Sequence, residues 1–226
     1  CNAHLDPVYC WQWEEGLTEA LATFRTACRF CDDTDGFVFC HNEALLYEWV
    51  EQNDPKLFKR IQALVRKGKW HIAGGSYVQP DVNLPAGETH IRQFLIAKKY
   101  FRARFGVEPT TACNFDSFGQ AEGYPQILRG CGLDSYIFCR PGAETQSLPV
   151  GPFRWRDRSG REVLARRSDE SYLTNRNVHQ KLEKWLPHYA DERESAILWG
   201  IGNHGGGPSR QDLEQIKRFA SEHPEY

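Results

Sequence analysis

Apolar residues recur at helical spacing through Trp13, Leu17, Ala20, Leu21, Phe24 and Cys28, which predicts one amphipathic helix from Trp11 to about Cys31. Asp32-Asp33-Thr34-Asp35-Gly36 breaks that pattern as a turn, and Phe37–His41 reads as a short buried strand. Helices are expected over Ala44–Glu51 and Pro55–Lys67, the second with an N-cap at Asn53-Asp54 and proline at its first position. Trp70–Ala73 is the next strand and runs into the polar stretch Gly74–Asp81. Helical spacing returns from Glu88 to Phe105, with Gly106 as its stop. Strands over Thr111–Phe115 and Ser135–Cys139 flank a short helix at Pro125–Arg129. Phe153–Trp155 and Glu162–Arg166, around Asp157-Arg158-Ser159-Gly160, have the form of a hairpin. A helix over Asn177–Tyr189, interrupted near its end by Pro187, leads to the continuously apolar Ala196–Ile201, a pattern expected of a strand buried on both faces. A last amphipathic helix covers Arg210–Ser221.

Strand and helix thus alternate, with no internal repeat and no low-complexity linker. The order implies an α/β fold with a largely parallel sheet wrapped by helices, either a barrel or a doubly wound sheet. Both bind ligands at the carboxyl ends of their strands. The reactive side chains fall at those ends: His4, Asp6, His41, Asp81, Asp116, Arg140, Asn203 and His204.

Composition narrows the picture. The 226 residues, 40% of them hydrophobic, suffice for one domain with a full core, taken here as residues 1–226. A net charge of -2 and a pI near 6.5 give no basic footprint for nucleic acid or anionic membrane. No apolar run approaches the roughly 18 residues of a membrane span. There is no methionine and the first residues read as the inside of a strand, so the chain is expected to be a piece of a longer polypeptide. The eight cysteines are spread through expected strands and helices, as buried free thiols in a reducing compartment would be. Cys28-x-x-Cys31 has no second Cys or His pair nearby and reads as structural.

His4 and Asp6 are two residues apart, so an extended strand end would point both side chains one way. An imidazole nitrogen and a carboxylate oxygen together suit a zinc-type cation. Asp116 follows an apolar strand, where a carboxylate is costly unless paired, metal-bound or used as a turn cap. The glycine-rich run Gly202–Pro208 lacks the Lys and Ser/Thr of a phosphate loop, and is read as a sugar- or metal-facing loop carrying Asn203 and His204. Arg140 at a strand end can orient a carboxylate. Tyr9, Trp11, Phe118 and Tyr172 offer flat faces for sugar rings, with Trp13 assigned to the core.

Five stretches in order carry a resemblance: HLDPV at His4–Val8, WHIAGGSYVQPDVNLPAGE at Trp70–Glu88, RQFLIAKKYFRARFG at Arg92–Gly106, NFDSFGQAEGYPQIL at Asn114–Leu128 and GIGNHGGGPSRQDL at Gly200–Leu213. Through them the chain resembles the amino-terminal catalytic domain of the glycoside hydrolase family 38 α-mannosidases, in wording closest to bacterial members. The resemblance implies a parallel seven-stranded (β/α) barrel of the glycoside hydrolase/deacetylase type and a retaining mechanism with one zinc ion in the sugar site. His4 and Asp6 match zinc ligands, Asp116 matches the residue that is both ligand and nucleophile, and Arg140 matches the arginine that steers it. Asn2 departs from a frequent histidine, and Tyr9 from a frequent tryptophan under the sugar. Asn203 and His204 lie where several members place the acid/base aspartate. His204 is therefore carried as the acid/base, with Asp81 or a residue beyond Tyr226 as alternatives. The family's remaining zinc ligand is a histidine expected beyond Tyr226, and His179, His188 and His223 do not match it. Tyr9, Asp81, Phe118, Arg140, Tyr172 and Asn203 complete the expected substrate contacts. The implied partner is an α-mannoside or oligosaccharide in the cytoplasm, with no nucleic acid and no membrane; a homo-oligomer is left open. Two rival readings are a zinc-dependent sugar deacetylase, working through metal-bound water, and a non-catalytic carbohydrate-binding domain.

Overall fold

The computed structural model describes residues 4–174, 176–190, 192, 195–201 and 207–225. In chain order its elements are α1 (Trp13–Asp33), β1 (Phe39–Glu43), α2 (Ala44–Asn53), α3 (Pro55–Arg66), β2 (Trp70–Ser76), α4 (Gly87–Phe105) and β3 (Thr111–Asn114). There follow α5 (Tyr124–Gly130), β4 (Ser135–Phe138), β5 (Pro152–Arg156), β6 (Glu162–Arg167), α6 (Val178–Trp185), a 3-10 turn at Leu186–Tyr189, and α7 (Arg210–Glu222). Contacts divide the chain into two compact units, one of Cys1–Phe39 with Glu170–Tyr226 and one of Cys40–Asp169. No described helix is long and apolar enough to cross a membrane.

In the unit Cys40–Asp169, β3, β4 and β6 run parallel, with Thr111 opposite Ser135 and Ser135 opposite Leu164. The edge strand β5 is antiparallel to β6. β1 and β2 form a separate pair, and β2 lies beside β3. Local sequence explains most boundaries. The Asp54 carboxylate accepts the Leu57 N–H at 3.0 Å and Pro55 opens α3. Gly106 ends α4 at φ 68°, a left-handed conformation that costs glycine little. Asp157 closes the β5–β6 hairpin by accepting from Ser159 Oγ at 2.6 Å and Arg161 N at 3.1 Å. Phe94, Tyr124, Leu128, Leu133, Tyr136, Phe138 and Val163 form the core between the sheet and helices α4 and α5. Each large apolar side chain buried there contributes about 1.5–3 kcal/mol.

In the unit of Cys1–Phe39 with Glu170–Tyr226, α1 buries Ala20, Phe24, Ala27, Cys28 and Cys31, so the Cys-x-x-Cys pair is structural and carries no disulfide. Trp13 departs from expectation: in the first turn of α1 it is 51% exposed rather than core. Ala196–Ile201 is not a strand. Its backbone is held by side chains instead, with Lys181 Nζ donating to the Leu198 carbonyl at 2.6 Å and Leu198 N donating to Glu170 Oε1 at 3.1 Å. Thr174 donates both its N–H and its hydroxyl to the Gly200 carbonyl at 2.9 Å. At the expected first strand Leu5 makes a single bridge. The described residues contain six strands, in two small sheets of a mixed α/β fold.

Candidate active site

Asp116 leaves the end of β3 and Arg140 the end of β4, neighbouring parallel strands whose exits bring the two side chains together. Arg140 Nε lies 2.6 Å from Asp116 Oδ1, in an ion pair whose N–H is not aimed squarely enough to count as a hydrogen bond. The Asp116 side chain is 19% exposed, so it is sheltered yet reachable. The guanidinium also lies 4.8 Å over the Phe118 ring, which is 73% exposed. Gln120 Nε2 donates to the Arg140 carbonyl at 2.9 Å, and its Oε1 accepts from the Tyr136 hydroxyl at 3.0 Å. The loop after β2 is stitched to this corner: Asn114 Nδ2 donates to the Pro80 carbonyl at 2.6 Å and Phe115 N donates to Gln79 Oε1 at 2.7 Å. Asp81 sits on that loop, half-buried, with Oδ1 accepting from Asn83 N at 2.8 Å and Leu84 N at 3.0 Å.

The other unit holds His4 and Asp6. Their Nε2 and Oδ1 meet at 2.7 Å, and His4 is 4% exposed. Trp11 Nε1 donates to the Asp6 carbonyl at 3.2 Å, and Tyr9, 69% exposed, packs edge-on against Trp11. Pro7 lies so close to Gly16 of α1 that a Cβ there would fall 2.1 Å from its carbonyl oxygen. Tyr172 is buried, its ring 5.2 Å from the His4 imidazole. Lys181 Nζ fixes the backbone on either side of it, donating to Ser171 O at 2.7 Å and Leu173 O at 3.1 Å.

The sequence-derived candidates therefore assemble as two groups, Asp116 with Arg140 and Phe118, and His4 with Asp6 and Tyr172. Tyr172 lies in the packing around His4 rather than as an open platform. Asn203 and His204 lie outside the described residues. His41 is buried on β1, its Nδ1 accepting from Asn42 N at 3.0 Å. Sequence reasoning passed over Glu43, buried at the end of β1, whose Oε1 accepts from Gln79 N at 2.9 Å. It also passed over Arg167 and Asp169 at the end of β6, paired at 2.6 Å. The available signal was a charged residue closing a strand, the one that singled out Asp116 and Arg140. Upstream on β3, burial pushes the Cys113 thiol well above its usual range, with the Cys40 and Cys139 thiols adding to the effect.

Comparison with solved structures defines the class of fold. An alpha-mannosidase from Enterococcus faecalis V583 superposes with a TM-score of 0.81 at 18% identity, over 99% of this chain and 26% of that one. A Mycobacterium smegmatis structure assigned to the polysaccharide deacetylases gives a TM-score of 0.64 at 12% identity, over 93% of this chain and 73% of that one. The sequence narrows the class to a family. Over 225 residues it is 30% identical to alpha-mannosidase 2C1 of Homo sapiens, a match covering 97% of this chain and 22% of that protein. The family described as glycosyl hydrolases family 38 N-terminal domain matches residues 1–226, and the chain belongs to it. It spans about a fifth of the length of the curated relatives it matches.

Proposed function

We propose that this chain is the catalytic amino-terminal part of a zinc-dependent, retaining α-mannosidase, a seven-stranded (β/α) barrel acting on α-mannosides or oligosaccharides in the cytoplasm. The observation that carries the reading is the 2.6 Å pair of Asp116 and Arg140 at the exits of adjacent parallel strands. Arg140 engages Oδ1 and limits the carboxylate's rotation, leaving the second oxygen for the anomeric carbon. Attack there breaks the glycosidic bond as an Asp116 ester forms, and water then releases mannose with retained configuration. In this reading His204 protonates the leaving oxygen and later takes a proton from that water. Asp81, whose Oδ1 accepts from two backbone N–H groups, and a residue beyond Tyr226 are the alternative donors.

His4 and Asp6 fit zinc by the chemistry of their donors and by their convergence at 2.7 Å. They would hold the ion, which when bound would grip sugar hydroxyls and favour the transition-state charge; among the described residues no group of three His, Cys, Asp or Glu side chains gathers at one point. Tyr172, packed on the His4 ring, holds that imidazole in place.

Elemental analysis of the full-length protein, alongside hydrolysis of an aryl α-mannoside by it and by Asp116→Ala, tests the proposal. The expected result is zinc in the unsubstituted protein and a fall in kcat of about four orders of magnitude in the variant. Zinc with release of acetate rather than mannose would make the protein a deacetylase. Mannose binding without turnover in the full-length protein would leave a carbohydrate-binding domain.

A further inference from the structure

Beside the Asp116–Arg140 corner, β4, β5 and the loop that follows Arg140 line an open-mouthed cavity of about 300 Å3. Phe153 and Trp155 reach it from β5, Phe138 from β4, and Pro141, Gln146 and Leu148 from the loop. Phe153 and Trp155 are half-buried: one side packs on the apolar core, and both rings also line the cavity.

The loop is fixed over this space. Arg167, buried at the end of β6, donates through Nη1 to the Gln146 carbonyl at 2.5 Å and the Pro141 carbonyl at 3.3 Å. Its Nε donates to Asp169 Oδ1 at 2.6 Å. Burying a guanidinium is unfavourable unless it is paired and hydrogen-bonded. Here its bonds go to two residues of the cavity wall, so the loop is held in place rather than left to collapse onto the aromatic rings. Gln120 also lines the space, and through its bond to the Arg140 carbonyl it joins the cavity to the side of the ion pair.

The lining chemistry selects a ligand. The lining residues include no cation, and the one carboxylate among them, Glu122, is already paired with Arg158 at 2.6 Å, so the lining offers little net charge to a phosphate or carboxylate. Aromatic faces beside the Gln146 amide and the Glu122 carboxylate suit a neutral ring with an apolar C–H face and a hydroxylated edge. We propose that this cavity is a second sugar subsite, which takes a pyranose ring of the substrate's leaving-group portion. The assignment rests on the mannosidase reading above and adds to it a preference for oligosaccharides.

The test compares kcat/KM of the full-length protein for α-mannotriose and for an aryl α-mannoside, in the unsubstituted protein and in two variants. Trp155→Ala removes a stacking face but also thins the core. Leu148→Trp fills the cavity from the loop and keeps both aromatic rings; Leu148 also packs on the core, and the ratio of the two activities cancels a general loss of folded protein. The subsite predicts that the mannotriose-to-aryl-mannoside ratio falls roughly fivefold to tenfold in both variants. A ratio unmoved in Leu148→Trp, whether both activities hold or fall together, overturns it. Failure of the unsubstituted protein to hydrolyse either substrate would overturn the mannosidase reading first, and that result is distinct from an unmoved ratio.

Discussion

Arg140 meets three partners at once: the Asp116 carboxylate, the Phe118 ring and, through its carbonyl, Gln120. A planar guanidinium can stack flat on an aromatic face while its edge meets a carboxylate, a fixed geometry that a flexible ammonium does not reproduce. In the proposed reaction Arg140→Lys should therefore lower kcat on an aryl α-mannoside by roughly 10- to 100-fold, with KM nearly unchanged, in steady-state kinetics of the full-length protein. A kcat equal to that of the unsubstituted protein would remove Arg140 from the reaction. Asp116 and Arg140 were both legible as candidates, since each is a charged residue that directly follows an apolar strand. The residues that brace them were not. Glu43 and Gln79 act across 36 residues of chain, and nothing local in either stretch announces the bond between them. Trp13 misled for a related reason. It continues the helical stripe of α1 but stands in the first turn, where it is half exposed.

Helix α1 gives up side-chain volume at Gly16 so that Pro7, one residue past Asp6, can lie against its backbone. Glycine inside a helix ordinarily costs up to about 1 kcal/mol relative to alanine. Here the intruding Cβ would meet a carbonyl oxygen at 2.1 Å, and the segment carrying His4 and Asp6 would have to shift. On the proposed zinc reading, Gly16→Ala is therefore expected to lower the metal content of the full-length protein while the far-ultraviolet helical signal holds. Unaltered metal content would show that this packing does not position the ligands. The other helices were readable because their signals are local: Asp54-Pro55 opens α3 and Gly106 closes α4. Ala196–Ile201 was misread because its apolar run resembles a doubly buried strand. Glu170, Lys181 and Thr174, distant in the chain, take up its backbone groups in place of a neighbouring strand.

The alternation of strand and helix was enough to give the mixed α/β class, because it depends on spacing repeated along the whole chain. One buried group sets an acid limit on the stability of the fold. His90 on α4 is buried against Tyr124, and neither ring nitrogen makes a hydrogen bond of good geometry. Burial lowers its pKa from the usual 6.5, with the Val82 backbone and the Asp81 charge opposing in part. Below about pH 6.5 the unfolded chain therefore takes up a proton that the folded chain resists. The stability from neutral His90 is fully present above that pH and is lost as pH falls toward the depressed pKa. His90→Gln should flatten the fall in melting temperature between about pH 7 and about pH 5. Parallel curves for the two proteins would show that His90 does not carry the effect.

Among the described residues strand β5 ends its sheet with one side of its backbone facing no neighbouring strand, an edge of the kind that can pair with another chain. Pro152 opens the strand without an N–H, and Arg154 and Arg156 are exposed with their charges tied to Glu162. A second molecule approaching that border in register would have to bring its own arginines against these. The same strand that lends Phe153 and Trp155 to the cavity thus also carries the charges that discourage sheet-to-sheet self-assembly.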